Sequence, residues 1–466
     1  MSSANTFPAD FVWGAATSAY QIEGSPLADG AGESIWHRFS HTPGKIADGS
    51  HGDFACDHYR RFREDVRLMR ELGIRAYRFS TSWSRVLPEG TGRVNHAGID
   101  FYSRLVDTLL EHDIQPMLTL YHWDLPAALE DRGGWADPRS ADWFAEYAQL
   151  MYQPLADRVP MWATINEPWV VVDGGYVTGQ HAPGRRDWAE AAAVAKNLLR
   201  AHAAAVDAYR AQWNQQIGLV VNLVPIHPAS DSDADHQAAR RLDAYLNRQF
   251  LDPAMLGEVP SELPEMFGRA WNVGRTIMSV NNSKDGHDCP SYEDELHQVR
   301  QPLDFVGVNY YLRLVVCDDA AAGPARARIV PQPDAPHTAM EWEIDPHGLV
   351  ETLQWVANRY GQVPLYITEN GAAFDDILQP NGAVHDTQRV QYLIDHLRAA
   401  KQAIAAGVNL RGYFVWSLLD NFEWACGYSK RFGIIHVDFA TQRRVPKSSA
   451  QFYSKVIRTH GAVLQE

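Results

Sequence analysis

The sequence predicts an α/β fold, a single (β/α)8 TIM barrel with elaborated βα loops that takes residues 1–466 as one domain. Three observations lead there. Short apolar runs with strand character alternate with segments of helical composition. Eight such runs can be counted. Polar and aromatic residues gather just past the ends of those runs. Alternating strands and helices imply βαβ units and a parallel sheet. Eight units in one chain favour a closed barrel over an open sheet. Length decides less, because 466 residues suit either about three average domains or one barrel with insertions.

The strand-like runs are Phe11–Thr17, Ala76–Trp83, Gln115–His122, Pro160–Glu167, Ile217–Leu223, Asp304–Tyr311, Pro364–Glu369 and Leu410–Leu419. Helical composition fills His58–Leu72, Gly98–Asp113, Trp143–Ala156, Ala191–Gln212, His236–Phe250, Gly348–Tyr360 and Thr387–Ala406. The Ala-rich stretch from Ala189 to Ala211 favours a helix by composition. Asp318–Thr338, rich in Ala, Arg and Pro, reads as a long surface loop.

Composition sets the limits on function. Hydrophobic residues make up 45% and charged residues 21%, ordinary for a soluble globular protein. The net charge of −15 argues against a nucleic-acid backbone or an anionic membrane surface as partner. The four cysteines, Cys56, Cys289, Cys317 and Cys426, show no CxxC spacing and read as inert thiols. Residues 1–10 carry neither a basic nor an apolar segment, so no signal peptide is expected. No apolar run approaches the roughly 18 residues that span a bilayer, and the cytoplasm is the expected compartment. Asn281-Asn282-Ser283 matches a glycosylation pattern that has no meaning there. The 15 tryptophans are the unusual entry. Most are expected in the core, and some should line a site with flat apolar faces.

The run ends carry the functional signal. Gln21 lies just past the first and Arg78 within the second. His122-Trp123 follows the third, and the fourth ends in Asn166-Glu167. The sixth ends in Asn309-Tyr310-Tyr311 and the seventh in Glu369-Asn370. Trp416 and then Glu423-Trp424 follow the eighth. In a parallel barrel these ends converge on one mouth, where barrel enzymes place their chemistry.

Glu167 and Glu369 each follow an apolar strand directly, where a turn residue would be ordinary. Two facing carboxylates can divide acid/base and nucleophilic work on an acetal. Placed about 5 Å apart, they would repel by roughly 3 kcal/mol at an effective dielectric near 20, or about two pKa units. One would then stay protonated as the acid while the other is the ionised nucleophile. From spacing alone, two salt-bridged structural glutamates fit equally well. Other chemistries fit less. The 19 histidines include no HExxH or HxH pair, so no metal site and no cofactor is expected. His58 and His112 read as helix-surface or packed histidines. A Gly-Xaa-Ser-Xaa-Gly elbow and a Walker loop are absent, and Gly30-Ala31-Gly32 lacks the rest of a dinucleotide fingerprint.

The strand-end segments resemble glycoside hydrolase family 1, the β-glucosidase-like (β/α)8 enzymes. The resemblance rests on residues 7–24 (FPADFVWGAATSAYQIEG), Tyr77-Arg78-Phe79-Ser80, and residues 121–126 (YHWDLP). It continues through Asn166-Glu167-Pro168, Asn309-Tyr310-Tyr311, Ile367-Thr368-Glu369-Asn370-Gly371, and residues 416–424 (WSLLDNFEW). It covers nearly the whole chain.

The resemblance implies a retaining double displacement, with Glu369 as nucleophile and Glu167 as acid/base. Arg78 and Tyr311 would orient Glu369, although a structural salt bridge competes for Arg78. Gln21, His122, Asn166, Glu423 and Trp424 would grip sugar hydroxyls, and Asn309 belongs to the same ring. Trp416 would face the sugar's C–H side. Trp342 would line the leaving-group subsite, with Trp169 beside it. Trp123 is equally open to simple packing. Retention of Glu423 implies an unphosphorylated substrate, since a carboxylate would repel a 6-phosphate, and Lys430 reads as a surface residue. The implied substrate is a small-molecule β-glucoside or short oligosaccharide, with a place in cellulose and polysaccharide breakdown. β-Galactosidase, β-fucosidase and broad-specificity readings are not separated from β-glucosidase. A non-catalytic sugar-binding barrel would be expected to lose one of the two glutamates. Homo-oligomerisation is left open, dimers being favoured by base rate alone.

Overall fold

The computed structural model describes residues 6–268, 271 and 299–465. Cys289 and the Asn281-Asn282-Ser283 sequon lie outside these residues. Eight parallel strands form a closed barrel. They are β1 (Val12–Ala16), β2 (Ala76–Ser80), β3 (Gln115–Tyr121), β4 (Met161–Asn166), β5 (Gln216–Asn222), β6 (Phe305–Asn309), β7 (Leu365–Asn370) and β8 (Leu410–Trp416). Each pairs with its chain neighbour, and β1 closes the ring onto β8 in the register Ala15↔Val415. All eight strands fall inside the expected runs to within a residue. The β2 run is shorter than expected, because Trp83 starts a short helix, Trp83–Val86.

Alternation along the strands divides two cores. Side chains pointing into the barrel, including Ala16, Ala76, Met117, Met161, Ala163, Val220, Phe305 and Phe414, pack together as one buried cluster. Those pointing outward meet the helices. In helix His58–Leu72 the buried residues Phe62, Val66 and Met69 recur every three or four positions, so one stripe faces the strands. Gly14 sustains the inner packing, because a Cβ there would lie 2.2 Å from the Phe414 ring.

The structure amends several expectations. Helix His236–Phe250 begins earlier, at Asp233, and is regular only to Asp243, with widened turns following. Asp318–Thr338 is not wholly loop, because Ala327–Ile329 pairs antiparallel with Leu314–Asp318. Helix Ser448–Arg458, which completes the last βα unit, was not anticipated. Its buried residues include Tyr453, Val456 and Ile457, but the run is short and polar-rich. His58 is packed as expected, with Nδ1 2.8 Å from Asp65.

A buried ion network underlies the segment after β8. Lys447 Nζ lies 2.6 Å from Asp420 Oδ1, Arg431 Nη1 lies 2.6 Å from Asp420 Oδ2, and Arg389 Nη2 lies 2.8 Å from Asp376. Lys447 also contacts Asp376. Burial works to raise the Asp420 carboxyl, but Lys447, His436 and Arg431 outweigh it and hold it well below the ordinary range. Asp420 stands three residues before Glu423, so this network anchors the site's far wall. Removing one partner from a buried pair strands the other charge. Lys447→Met is expected to destabilise the fold by about 3–5 kcal/mol in urea unfolding, and a loss near zero would show that the network contributes no net stability.

Candidate active site

The C-terminal ends of the strands converge on one cavity of about 790 Å³. Eleven of the fourteen residues named from the sequence line it: His122, Trp123, Glu167, Trp169, Asn309, Tyr311, Trp342, Glu369, Trp416, Glu423 and Trp424. Arg78, Asn166 and Gln21 stand one layer behind the wall, where they hold the lining groups in place. His181 and Asn222, which sequence reasoning did not single out, line the cavity as well.

The backbone places both glutamates. The β4–β5 register shifts between Ala163 and Asn166, and the β6–β7 register shifts between Ile367 and Glu369. Such irregularities turn a strand end and re-aim its side chains. Glu167 follows β4 with φ +46°, while Trp123 has φ +82° and Trp424 φ +45°. Left-handed backbone at non-glycine residues is strained and clusters at functional sites. Gly371, two residues after Glu369, admits no side chain, since a Cβ would sit 1.7 Å from the Trp416 carbonyl oxygen.

Each Glu369 oxygen has its own donor. Arg78 Nη1 donates to Oε1 at 2.6 Å and the Tyr311 hydroxyl donates to Oε2 at 2.7 Å. Burial keeps the Tyr311 proton in place by raising its pKa well above the ordinary value. Arg78 is itself fixed, giving Nη2 to Asn166 Oδ1 at 2.6 Å and Nε to Thr119 Oγ1 at 3.2 Å. Asn309 donates to Glu167 Oε1 at 2.6 Å and to Asn166 Oδ1 at 3.1 Å, while its own oxygen accepts from Thr368 at 2.7 Å. Thr119 and Thr368 were missed in the sequence, because a strand threonine carries no signal of its own.

Burial raises both catalytic-site carboxyls. For Glu369 the Arg78 charge, the Arg78 and Tyr311 hydrogen bonds and Asn309 work against it. For Glu167 the Glu369 charge adds to burial and pushes it to about 8, despite Asn309 and Arg78. The shared proton therefore resides on Glu167 at neutral pH. Repulsion was the cause expected from the sequence, and it ranks second here, after desolvation. Glu423 is also pushed up to about 8, first by burial and then by Glu369. Raised this far, Glu423 carries less charge at neutral pH than the repulsion argument against a 6-phosphate assumed. Lys430 is not a free surface residue either, since Nζ donates to the Ala339 carbonyl at 2.6 Å.

The rest of the ring is a hydrogen-bond frame with aromatic walls. Asn166 Oδ1 is taken by Arg78 and Asn309, so its amide nitrogen faces His122 Nε2 at 3.1 Å. Burial, with the Arg78 charge, holds His122 neutral. Its Nε2 is then the acceptor, and Nδ1–H is a donor with no partner among the described residues. Gln21 gives Nε2 to Glu423 at 3.3 Å and to the Phe422 carbonyl at 2.9 Å. Trp123 donates to the Asn166 carbonyl at 2.9 Å and packs 4.6 Å from the Trp424 ring, so it both packs and lines. Trp416 lies parallel to His122 at 5.9 Å, and Trp342 rests on Tyr311 at 5.3 Å.

A barrel mouth with two buried carboxyls of unequal acidity and flat aromatic walls defines a glycoside hydrolase of the (β/α)8 class. Residues 3–462 match the model of glycosyl hydrolase family 1. The chain is 50% identical to β-glucosidase A of Thermotoga maritima over 457 residues, covering 98% of each. It is 49% identical to 1,4-β-D-glucan glucohydrolase of Thermotoga neapolitana over 457 residues, covering 98% of this chain and 99% of the relative. Among solved structures it superposes on β-glucosidase from Thermotoga maritima in complex with deoxynojirimycin, with a TM-score of 0.92 at 49% identity, covering 98% and 99% of the two chains. This chain belongs to glycosyl hydrolase family 1. The β-glycosidase, and within it β-glucosidase, expected from the sequence agrees with the names of these relatives. Among the described residues, no helix is long and apolar enough to cross a membrane.

Proposed function

We propose that this protein is a retaining β-glucosidase that releases terminal glucose from short β-linked saccharides or aryl and alkyl glucosides. One observation carries the reading: Glu369 is held at both oxygens by Arg78 and Tyr311, while Glu167 lines the same cavity, its carboxyl raised to about 8 by burial and by Glu369. In the first step a Glu369 oxygen attacks the anomeric carbon, and the glycosidic C–O bond breaks. The Glu167 proton passes to the leaving oxygen. Once Glu369 is esterified its charge is gone, so Glu167, now ionised, has a lower pKa and takes a proton from water. The water oxygen then displaces Glu369 with a second inversion.

The remaining groups serve binding. His122 and the Glu423 carboxyl line the cavity where sugar hydroxyls would lie, and Trp416 offers its face to the C–H side. Asn166 sits behind the site as the hub that fixes Arg78, Asn309 and His122. Arg78 contributes orientation and charge to Glu369 rather than fold stability alone. Trp342 and Trp169 line the outer mouth, where a leaving group would lie. The whole chain acts as one catalytic domain in the cytoplasm, on sugars such as those released from cellulose.

Proton NMR of an aryl β-glucoside digest tests the mechanism. The β-anomer of glucose is expected first, with the α-anomer rising only by mutarotation. First appearance of the α-anomer would mean a single displacement and would overturn the double-displacement assignment.

A further inference from the structure

A second cluster lies outside the cavity, where helix Ile35–Ser40 meets the loop that follows it. His37 Nδ1 is 3.4 Å from Asp53 Oδ1, and His41 Nε2 is 3.2 Å from Asp53 Oδ2. His51 Nδ1 is 3.4 Å from Asp53 Oδ2, with its ring stacked 4.6 Å from that of His41. One ligand atom from each of His37, His41 and Asp53 lies within 4.8 Å of the others. His37 is 8% exposed, and its Nδ1 and the facing Asp53 Oδ1 are both buried with no hydrogen-bond partner among the described residues.

The hydrogen-bond pattern leaves a place for a cation here. His41 Nδ1 lies 2.7 Å from the His37 carbonyl, which can only accept, so that nitrogen carries a proton. In the neutral ring Nε2 is then a lone pair aimed at a carboxylate oxygen, a contact that needs either a second proton on the ring or a bound cation between the two. Zinc bonds of about 2.0–2.2 Å to nitrogen and oxygen place neighbouring tetrahedral ligands roughly 3.3–3.5 Å apart. The nitrogen–oxygen spacings, 3.4 Å from His37 Nδ1 to Oδ1 and 3.2 Å from His41 Nε2 to Oδ2, are close to that edge, with the Asp53 carboxylate straddling the ion. The contact of His41 Nδ1 with a backbone carbonyl is also of the kind that orients the imidazole ligands of metal sites.

We propose that His37, His41 and Asp53, with His51 alongside, form a site for a zinc-like divalent transition metal that clamps this helix to its loop. The same stretch supports the sugar site. Trp36 packs 4.5 Å from Trp424, the Ala47 amide donates to the Ala425 carbonyl at 2.8 Å, and the Tyr428 hydroxyl donates to the His51 carbonyl at 2.9 Å. Metal at the clamp would stiffen the backing of the Glu423–Tyr428 segment without entering the cavity. The proposal does not depend on which sugar is cleaved.

The test uses the full chain stripped with a chelator and titrated with zinc chloride by calorimetry, alongside thermal melts. The wild type is expected to bind zinc and to melt a few degrees higher with it. His41→Ala and Asp53→Asn should each weaken binding at least about tenfold and abolish the melting shift. Both side chains are partly exposed, so both variants should fold, which unchanged activity in metal-free buffer verifies. His227→Ala, at the separate His227–Glu351 surface pair, should bind as the wild type does. Equal zinc binding by the wild type and by both cluster variants would overturn the site and leave an imidazolium–carboxylate cluster held by protons. An equal melting shift with magnesium would overturn imidazole ligation.

Discussion

Glu369→Gly is expected to lower kcat on an aryl β-glucoside by at least about 10⁴-fold, the scale of losing a covalent nucleophile. The substitution removes the attacking oxygen but leaves Arg78 and Tyr311 in place, with room for a small anion between them. Added azide should therefore restore turnover. It would attack from the face that Glu369 uses, and only one inversion would follow, so the product should be the α-glucosyl azide. Glu167 still delivers the proton in that step. A variant with wild-type activity would displace Glu369 from the mechanism. A β-glucosyl azide would mean that the incoming group enters from the opposite face. A glucoside untouched by the wild type would reopen the choice of sugar, beginning with a galactoside and a 6-phosphoglucoside.

The barrel was legible because strand and helix periods differ and the chain repeats the pair. β5 carries the continuous apolar stretch Ile217-Gly218-Leu219-Val220-Val221, as expected of a strand in a doubly covered parallel sheet. The catalytic pair was legible for a related reason. A charged residue directly after such a run is costly unless the mouth of a barrel receives it. What stayed hidden depends on contacts distant in sequence. Arg78 and Glu369 are 291 positions apart, and only the closed barrel shows that Asn166 ties Arg78 to Asn309. The raised pKa of Glu423 was missed because burial, unlike charge, cannot be counted along a chain. The His37–His41–Asp53 cluster escaped for the same reason: a motif search looks for histidines in fixed spacing, whereas Asp53 arrives from a loop.

The basic limb of kcat/KM reports the free enzyme's acid, and it is expected to fall as pH rises through about 8. The sign follows from the direction of the shift. Glu167 is raised above an ordinary glutamic acid by burial and by Glu369, up to about 8. The protonated form is the active acid, so activity is full below that pH and lost above it. Glu423 is a rival for this limb, because it is also pushed to about 8. Two variants separate them. In Glu423→Gln the limb should remain, with KM raised by the lost sugar contact. In Glu167→Ala the limb should vanish, and kcat/KM on an alkyl glucoside should fall by about 10²–10⁴-fold, the usual worth of general acid catalysis. A dinitrophenyl glucoside needs little protonation to leave, so its kcat/KM should fall far less. Its second step still lacks a base, so the glycosyl-enzyme should accumulate after a burst of phenolate. A limb that persists in Glu167→Ala but disappears in Glu423→Gln would transfer the acid's role to Glu423. Equal losses on both glucosides would mean that Glu167 shapes the site without moving a proton.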